Sequence, residues 1–407
     1  MILAELGTIV TGKTPSTKCK EYWNGCVPFV TPKDIQGTKH IFSTERNISD
    51  IGLISAKGVS LPPNSICVSC IGNIGYVGKT TTQCISNQQI NTIIPFSKVN
   101  SDYVYYLIKW LWPFFKNYEG QSTTLSILNK TQFSKIEIPK HSLQQQNAIA
   151  AVLNCFDDKI EENERINDNL EQQAVLLFKK WFIEFDNSSK NMLETRFGLV
   201  PESFKLLKNG ELPLVVTDYV ANGSFASLKA NVTLYQEPNY AYFIRNTDLK
   251  SGTFEVFVDE HSYNFLSKST LYGGEIIISN VGDVGSVFLC PKLDKPMTLG
   301  NNIIMLHPEQ ENLRYYLYIW FKWLYGQSLI QGIKGGSAQP KFNKTDFKNL
   351  PIFLPPDDLL EQFHQIVKPM FELINENNTE NQALTRTRDT ILPRLMSGEL
   401  DVSDIEI

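Results

Sequence analysis

Histidine is scarce in this chain, with five among 407 residues. The five are scattered, and no His-Glu-x-x-His or other paired spacing suited to zinc occurs. No run of 18 apolar residues exists, so no membrane-spanning helix is expected. The opening Met1–Lys13 lacks the basic start and cleavage site of a secretory leader. The seven cysteines are odd in number and irregular in position. That pattern fits reduced thiols in a cytoplasmic protein better than a disulfide framework. Cys67 and Cys70 form one CxxC without a second pair, so they are expected to be structural thiols. Gly72-Asn73-Ile74-Gly75-Tyr76-Val77-Gly78 has glycines at the wrong spacing for a dinucleotide fingerprint. Gly7-Thr8-Ile9-Val10-Thr11-Gly12-Lys13-Thr14 fits the GxxxxGK[ST] spacing of a phosphate loop, but the polar Thr14–Lys20 stretch after it has no helical apolar period to supply the helix such a loop needs. A Gly-x-Ser-x-Gly elbow is missing, and the acidic residues form no metal cage. The sequence therefore offers no catalytic or metal-binding residue. By exclusion it reads as a binding and scaffolding protein.

What is present is a repeat with a period of about 214 residues. Ile149, Leu153, Phe156, Ile160, Asn163, Asn167, Leu170, Leu177 and Trp181 lie on one heptad grid. The same grid recurs at Phe363, Val367, Met370, Ile374, Asn377, Asn381, Leu384, Ile391 and Leu395. Apolar spacings of 4 and 3 are those of a coiled-coil seam. Seam asparagines weaken a coil but select its register and orientation. In an antiparallel pair, Asn163 should face Asn381 and Asn167 should face Asn377. Pro369 and Pro393 should kink or split the second helix.

The parts preceding the helices also correspond. Pro28–Ile35 answers to Tyr242–Leu249, and Ser69–Gly75 to Ser279–Gly285. Tyr105-Tyr106-Leu107 answers to Tyr315-Tyr316-Leu317, and Lys130–Phe133 to Lys344–Phe347. Val27–Val30, Ser65–Ser69 and Ile90–Ile94 read as strands, and Asp102–Phe115 as a helix with an end or kink at Pro113. Each unit is expected to exit through a proline-bearing strand, at Ile136–Pro139 and at Leu350–Pro356. The fold class is α+β: two pseudo-symmetric globular α/β units separated by two long antiparallel coiled-coil helices. The boundaries fall at 1–142, 143–200 (helix and polar linker), 201–356 and 357–407.

Charge is divided along the same lines. Residues 1–142 carry 14 Lys and Arg against 8 Asp and Glu, and residues 201–356 are near neutral. Both helical segments are acidic, as in 357–407 with 4 against 11. A nucleic-acid binder keeps positive charge where it meets phosphate, so domain charge matters more than the total of −5.

Polar, glycine-rich loops supply the candidate contacts. In the first unit these are Lys13, Thr14, Ser16, Lys18 and Lys20, with Lys33, Asn73, Gln121 and Ser122. In the second they are Lys229, Arg245, Asn280, Lys334, Ser337, Gln339 and Lys341. Lysine, serine and threonine suit phosphate, whereas asparagine and glutamine can read adenine edges bidentately. The same residue types also make ordinary turns.

Three stretches at the joints resemble the specificity subunits of type I restriction-modification systems. They are Leu177–Asp186, Leu350–Pro356 with Glu361-Gln362, and Ile391-Leu392-Pro393-Arg394-Leu395-Met396-Ser397-Gly398-Glu399-Leu400. Gly335–Asn343 resembles the loop that closes a target-recognition domain. The resemblance spans essentially the whole chain. It implies a host-defence DNA-binding protein with two target-recognition domains, each reading half of a split duplex site. It further implies helices that dock methylation subunits, two of them, which restriction subunits join. S-adenosylmethionine, ATP and Mg would belong to those partners and no cofactor to this chain, which lacks the Asn-Pro-Pro motif of an adenine methyltransferase. Leu199–Phe204 resembles the usual opening of a recognition domain, whereas the first unit starts directly at Leu6-Gly7-Thr8. The alternative is a symmetric coiled-coil scaffold that binds protein and has no DNA specificity.

Overall fold

A computed structural model describes residues 1–37, 39–56, 59–120, 126–185, 191–195, 198–336 and 339–402. Two compact units emerge. One comprises Met1–Asn163 and the chain from Thr379 onward, and the other is Glu164–Asn378.

In the first unit, Gly7–Thr11, Ile90–Pro95, Ile66–Ser69, Val77–Thr80 and His40–Ile41 form one sheet in that spatial order. Ile66, Val68 and Ile93 are fully buried. The second unit repeats this order with Leu214–Asp218, Ile303–Pro308, Ile276–Ser279 and Val287–Leu289. Each unit adds a second sheet containing one parallel pairing, of three strands in the first unit and five in the second. Phe29 pairs with Ile85 in the first unit, and Phe243 pairs with Thr298 in the second. The repeat read from sequence is thus a repeat of topology.

The helix Ser101–Trp110 starts where the Asn100 side chain accepts from the Asp102 and Tyr103 amides. It ends at Leu111, and a second helix, Trp112–Gly120, follows. Pro113 therefore lies in the first turn of a new helix, where its missing N–H costs nothing. The counterpart is the pair Leu313–Lys322 and Leu324–Gly332. The strand expected at Ile136–Pro139 is reduced to a single bridge between Glu137 and Ile2. In the second unit, Pro351–Leu354 is a full strand because Lys205–Lys208 lies alongside to pair with it.

The long helices run over Leu143–Phe182 and Asp357–Met396. The second is unbroken, so the expectation that Pro369 and Pro393 split it does not hold. Proline removes one backbone bond, but Phe363, Val367 and Phe371 are buried on both sides of Pro369 and hold the helix in place. Pro393 sits in the last turn, where its carbonyl still accepts from Ser397.

Neither helix is a free spacer, because each end enters a core. Ala148, Ile149, Leu153, Leu392, Leu395 and Met396 belong to the first unit's core, together with Leu3 and Val402. Ala174, Phe178, Phe182, Leu360, Phe363 and Val367 belong to the second unit's core. Within the first unit, Asn163 Nδ2 donates to Asn381 Oδ1 at 2.9 Å and to Glu380 at 2.7 Å. Within the second, Asn377 Nδ2 donates to Asn167 Oδ1 at 2.8 Å. In the first unit Asp157 meets Arg388 where Asn163 meets Asn381, and in the second Phe178 meets Phe363 where Asn167 meets Asn377, so the helices run antiparallel within each unit.

The first unit's seam also carries an ionic cluster. Asp157 pairs with Arg388, and their side chains are 10% and 12% exposed. Tyr106 donates to Asp157 at 2.7 Å, and Lys39 Nζ donates to Asn154 at 2.8 Å. Burial opposes ionisation of Asp157, but the Arg388 guanidinium outweighs it and holds the carboxyl below its ordinary range.

Candidate nucleic-acid interface

Loops at one end of the first unit are laced together by backbone hydrogen bonds. Gly12 donates to Ile90 at 3.0 Å and Lys13 to Ser86 at 2.8 Å. Asn87 donates to Val30 at 3.0 Å, Cys70 to Gln89 at 2.7 Å and Leu128 to Cys70 at 2.9 Å. The second unit has the same lacing with different residues. Gly300 donates to Ile244 at 2.7 Å, Asn280 to Asn302 at 3.1 Å and Phe342 to Asn280 at 3.1 Å.

The GxxG turn is common to both. Gly75 and Gly285 have φ of 96° and 100°, in a region that L side chains rarely adopt. A Cβ on Gly75 would also lie 2.6 Å from the Phe115 ring. The turn is closed by Gly75 donating to Ser69 O and Gly285 donating to Ser279 O. What looked like a failed dinucleotide fingerprint is a rigid turn between two antiparallel strands. The nearby cysteines serve packing. Cys67 and Cys70 are buried, and burial pushes both thiols up to about 12. No group of three or more metal-ligating side chains occurs among the described residues.

The structure brings many of the sequence candidates to these loops. Lys13, Ser16, Lys18 and Lys20 are exposed along one segment, and Asn73 is exposed on the GxxG turn. The first unit's Lys13, Lys18 and Lys20 have no carboxylate partner among the described residues. Thr14 donates to Gln88 Oε1 at 2.6 Å. Lys33 is exposed and pairs loosely with Glu45 at 3.6 Å. Asn280 donates weakly to Phe342 O at 3.4 Å. Lys341 bridges by backbone to Val281 and Gly335, which places exposed Lys334 and Gln339 beside the same turn.

Two candidates stand apart from this set. Arg245 is engaged with Asp248, its Nη2 lying 2.6 Å from Oδ1, so much of its donor fork is used internally. Lys229 is exposed in the last turn of Phe225–Asn231, outside the laced loops. Gln121, Ser122 and Ser337 lie outside the described residues, as does most of the polar linker after Phe185.

Sequence reasoning passed over one feature. The turn leading into Ile90 presents Asn87, Gln88 and Gln89, and the turn leading into Ile303 presents Asn301 and Asn302. Gln88, Asn301 and Asn302 are exposed. The signal was a recurrence of neighbouring amides at nearly the repeat spacing, but amides are too common in turns to stand out.

Two units of one topology, each presenting a laced set of polar loops and braced by shared helices, define a duplicated recognition scaffold. The profile described as "Type I restriction modification DNA specificity domain" matches residues 1–172 and 217–386, and the chain belongs to that family. It is 29% identical over 414 residues to the Type I restriction enzyme MjaIX specificity subunit of Methanocaldococcus jannaschii. That alignment covers 99% of this chain and 93% of the relative. The HindI specificity subunit of Haemophilus influenzae is 37% identical over 138 residues, covering 33% of this chain and 30% of that one. In fold, the chain is similar to the crystal structure of a Type-I restriction-modification system S subunit from M. genitalium. The TM-score is 0.54 at 16% identity, covering 97% of this chain and 95% of the other. The family assignment disfavours the scaffold without DNA specificity. It makes this chain the specificity member of its system, not a catalytic one.

Proposed function

We propose that the chain reads a bipartite duplex DNA site, one half-site per unit, as part of a type I restriction-modification complex. The observation that carries this reading is the pair of matched loop networks with unmatched exposed side chains. Equal scaffolds with unequal surfaces suit an asymmetric two-part target. Lys13, Ser16, Lys18 and Lys20 supply phosphate contacts in the first unit, and Lys334, Gln339 and Lys341 supply polar contacts in the second. The second unit's globular part is near neutral, and some of its cations are paired internally: Lys344 with Asp218 at 2.8 Å and Lys250 with Asp283 at 2.5 Å. Partner subunits would therefore provide much of the phosphate grip there. The acidic long helices dock two methylation subunits, restriction subunits join them, and the partners hold S-adenosylmethionine, ATP and Mg.

The test is selection from a random duplex library by the full chain assembled with its methylation subunits. Two short sequence blocks at a fixed gap are expected, and a single block or no enrichment would refute the reading. Each long helix spans about 60 Å at 1.5 Å per residue, enough to set half-sites one helical turn apart, roughly 34–36 Å. Adding one heptad to both helices should change the gap, and an unchanged gap would remove the ruler role.

A further inference from the structure

We infer that the amide turns are base-reading elements, with Gln88 reading an adenine in one half-site and Asn301 serving the other. This rests on the DNA-recognition reading above and names a chemistry within it. Three observations converge.

The first is position. Gln88 lies two residues before Ile90 and Asn301 two before Ile303, and those isoleucines are 0% and 1% exposed. Each exposed amide therefore projects from the start of a buried core strand, a rigid mount for a reading group. The second is recurrence. Residues next to each amide make the same backbone bonds in both units: Gln89 O and Asn302 O accept from Cys70 and Asn280, and the Asn87 and Gly300 amides donate to the ends of the parallel strands. The two amides thus hold equivalent places among the loops that carry the other candidate contacts.

The third is preparation. Gln88 Oε1 accepts from the Thr14 hydroxyl at 2.6 Å, which fixes which end of the amide faces Thr14. The amide NH2 has no acceptor among the described residues, and Oε1 keeps a second lone pair. On either side, Asn87 Nδ2 donates to Gln89 Oε1 at 2.9 Å, and Asn87 Oδ1 accepts from the Gln89 backbone N–H at 3.1 Å. The flanking residues are thus tied to one another, and the middle amide is left exposed. An outward amide with one donor and one acceptor matches adenine N7 and N6 in the major groove. Thr14 is then a positioning residue.

The experiment is the same duplex selection, with the full chain as wild type, Gln88→Glu, Gln88→Ala and Asn301→Ala. The wild type should show adenine at a defined position in each half-site. Gln88→Glu removes the donor and should shift that one position toward cytosine, whose N4 amine suits a carboxylate. Gln88→Ala should lower discrimination there about 10- to 100-fold. Asn301→Ala should do the same in the other half-site only, with non-specific binding unchanged in the two alanine variants. A structural role for Gln88 would weaken all sequences alike, and would not exchange one base for another. A wild-type consensus left unchanged by all three variants would overturn this inference and leave the proposed function standing. A wild type that selects no sequence would overturn both.

Discussion

The two halves of the coiled-coil seam solve one packing problem with opposite chemistry. In the first unit, Asp157 and Arg388 meet across the helices and Tyr106 completes the cluster. At the equivalent places of the second unit, 214 residues away, stand Phe371 and Ala174. Phe371 stacks on Tyr315 with ring centroids 4.6 Å apart and planes 6° from parallel, and Tyr318 meets it edge-on at 5.5 Å. The backbone frame accepts either solution, but each depends on both of its partners. A buried ion pair adds little over a well-packed apolar pair, yet losing one member is severe. Arg388 is held from two sides, by Asp157 across the seam and by Asp389 on its own helix at 2.8 Å.

That comparison can be broken in graded steps. The largest effect is expected from Arg388→Ala, which strands the Asp157 carboxylate and should cost about 3–5 kcal/mol. Hydrogen exchange should show the loss in the first unit's helices, and adding Asp157→Ala should restore much of it. If the double variant were as unstable as the single, a stranded charge would not be the cause. Phe371→Ala should cost about 3–5 kcal/mol through the cavity it opens, with faster exchange confined to the second unit. Equal loosening of both units would contradict the assignment of separate cores.

A pH titration should separate the two seams further. The Asp157 pKa is lowered in the folded state, so its stabilising contribution is complete above the unfolded value of about 4. It is lost as pH falls through the folded value. Acid should therefore loosen the first unit's seam by this route, whereas in the second unit the titrating group is His364, stacked on Tyr315 with its pKa lowered by burial, so stability there falls once pH drops below the unfolded imidazole value of about 6.5. A smaller effect is expected from replacing Asn167 and Asn377 together by leucine. Removing a polar layer should raise Tm by about 2–4 °C for each kcal/mol gained, and a fall in Tm would show that the layer contributes net stability. The smallest steps concern DNA. Replacing Lys13, Lys18 or Lys20 by alanine should weaken binding across sequences and flatten the salt slope by about 0.9 for each phosphate no longer neutralised. Unchanged slopes would exclude those lysines from the phosphate grip.

Legibility varied along the chain for physical reasons. The helical grid was legible because it is a local pattern, whereas the GxxG turns and the capped short helices showed in the sequence only as matching stretches, and their conformation came from the structure. Asn129 and Asn343 cap equivalent helices by accepting from Gln132 and Asp346. The Asp157–Arg388 pair was invisible because its members are 231 residues apart, and each alone is an ordinary charge on an amphipathic helix. Arg245 looked like a free cation because nothing in its own chemistry announces the Asp248 carboxylate folded back on it. The prolines misled for a related reason, since the expected break weighed one missing hydrogen bond without the buried residues on either side.

The sequence by itself determined the duplication, the heptad seam with its asparagine layers and the family to which the chain belongs. Those follow from periodicity and motif, which survive as order along the chain. Only the tertiary structure decided which half of the seam is ionic and which aromatic, which lysines are left unpaired, and that Gln88 is held outward by Thr14. Each of these depends on residues brought together by folding from distant parts of the chain.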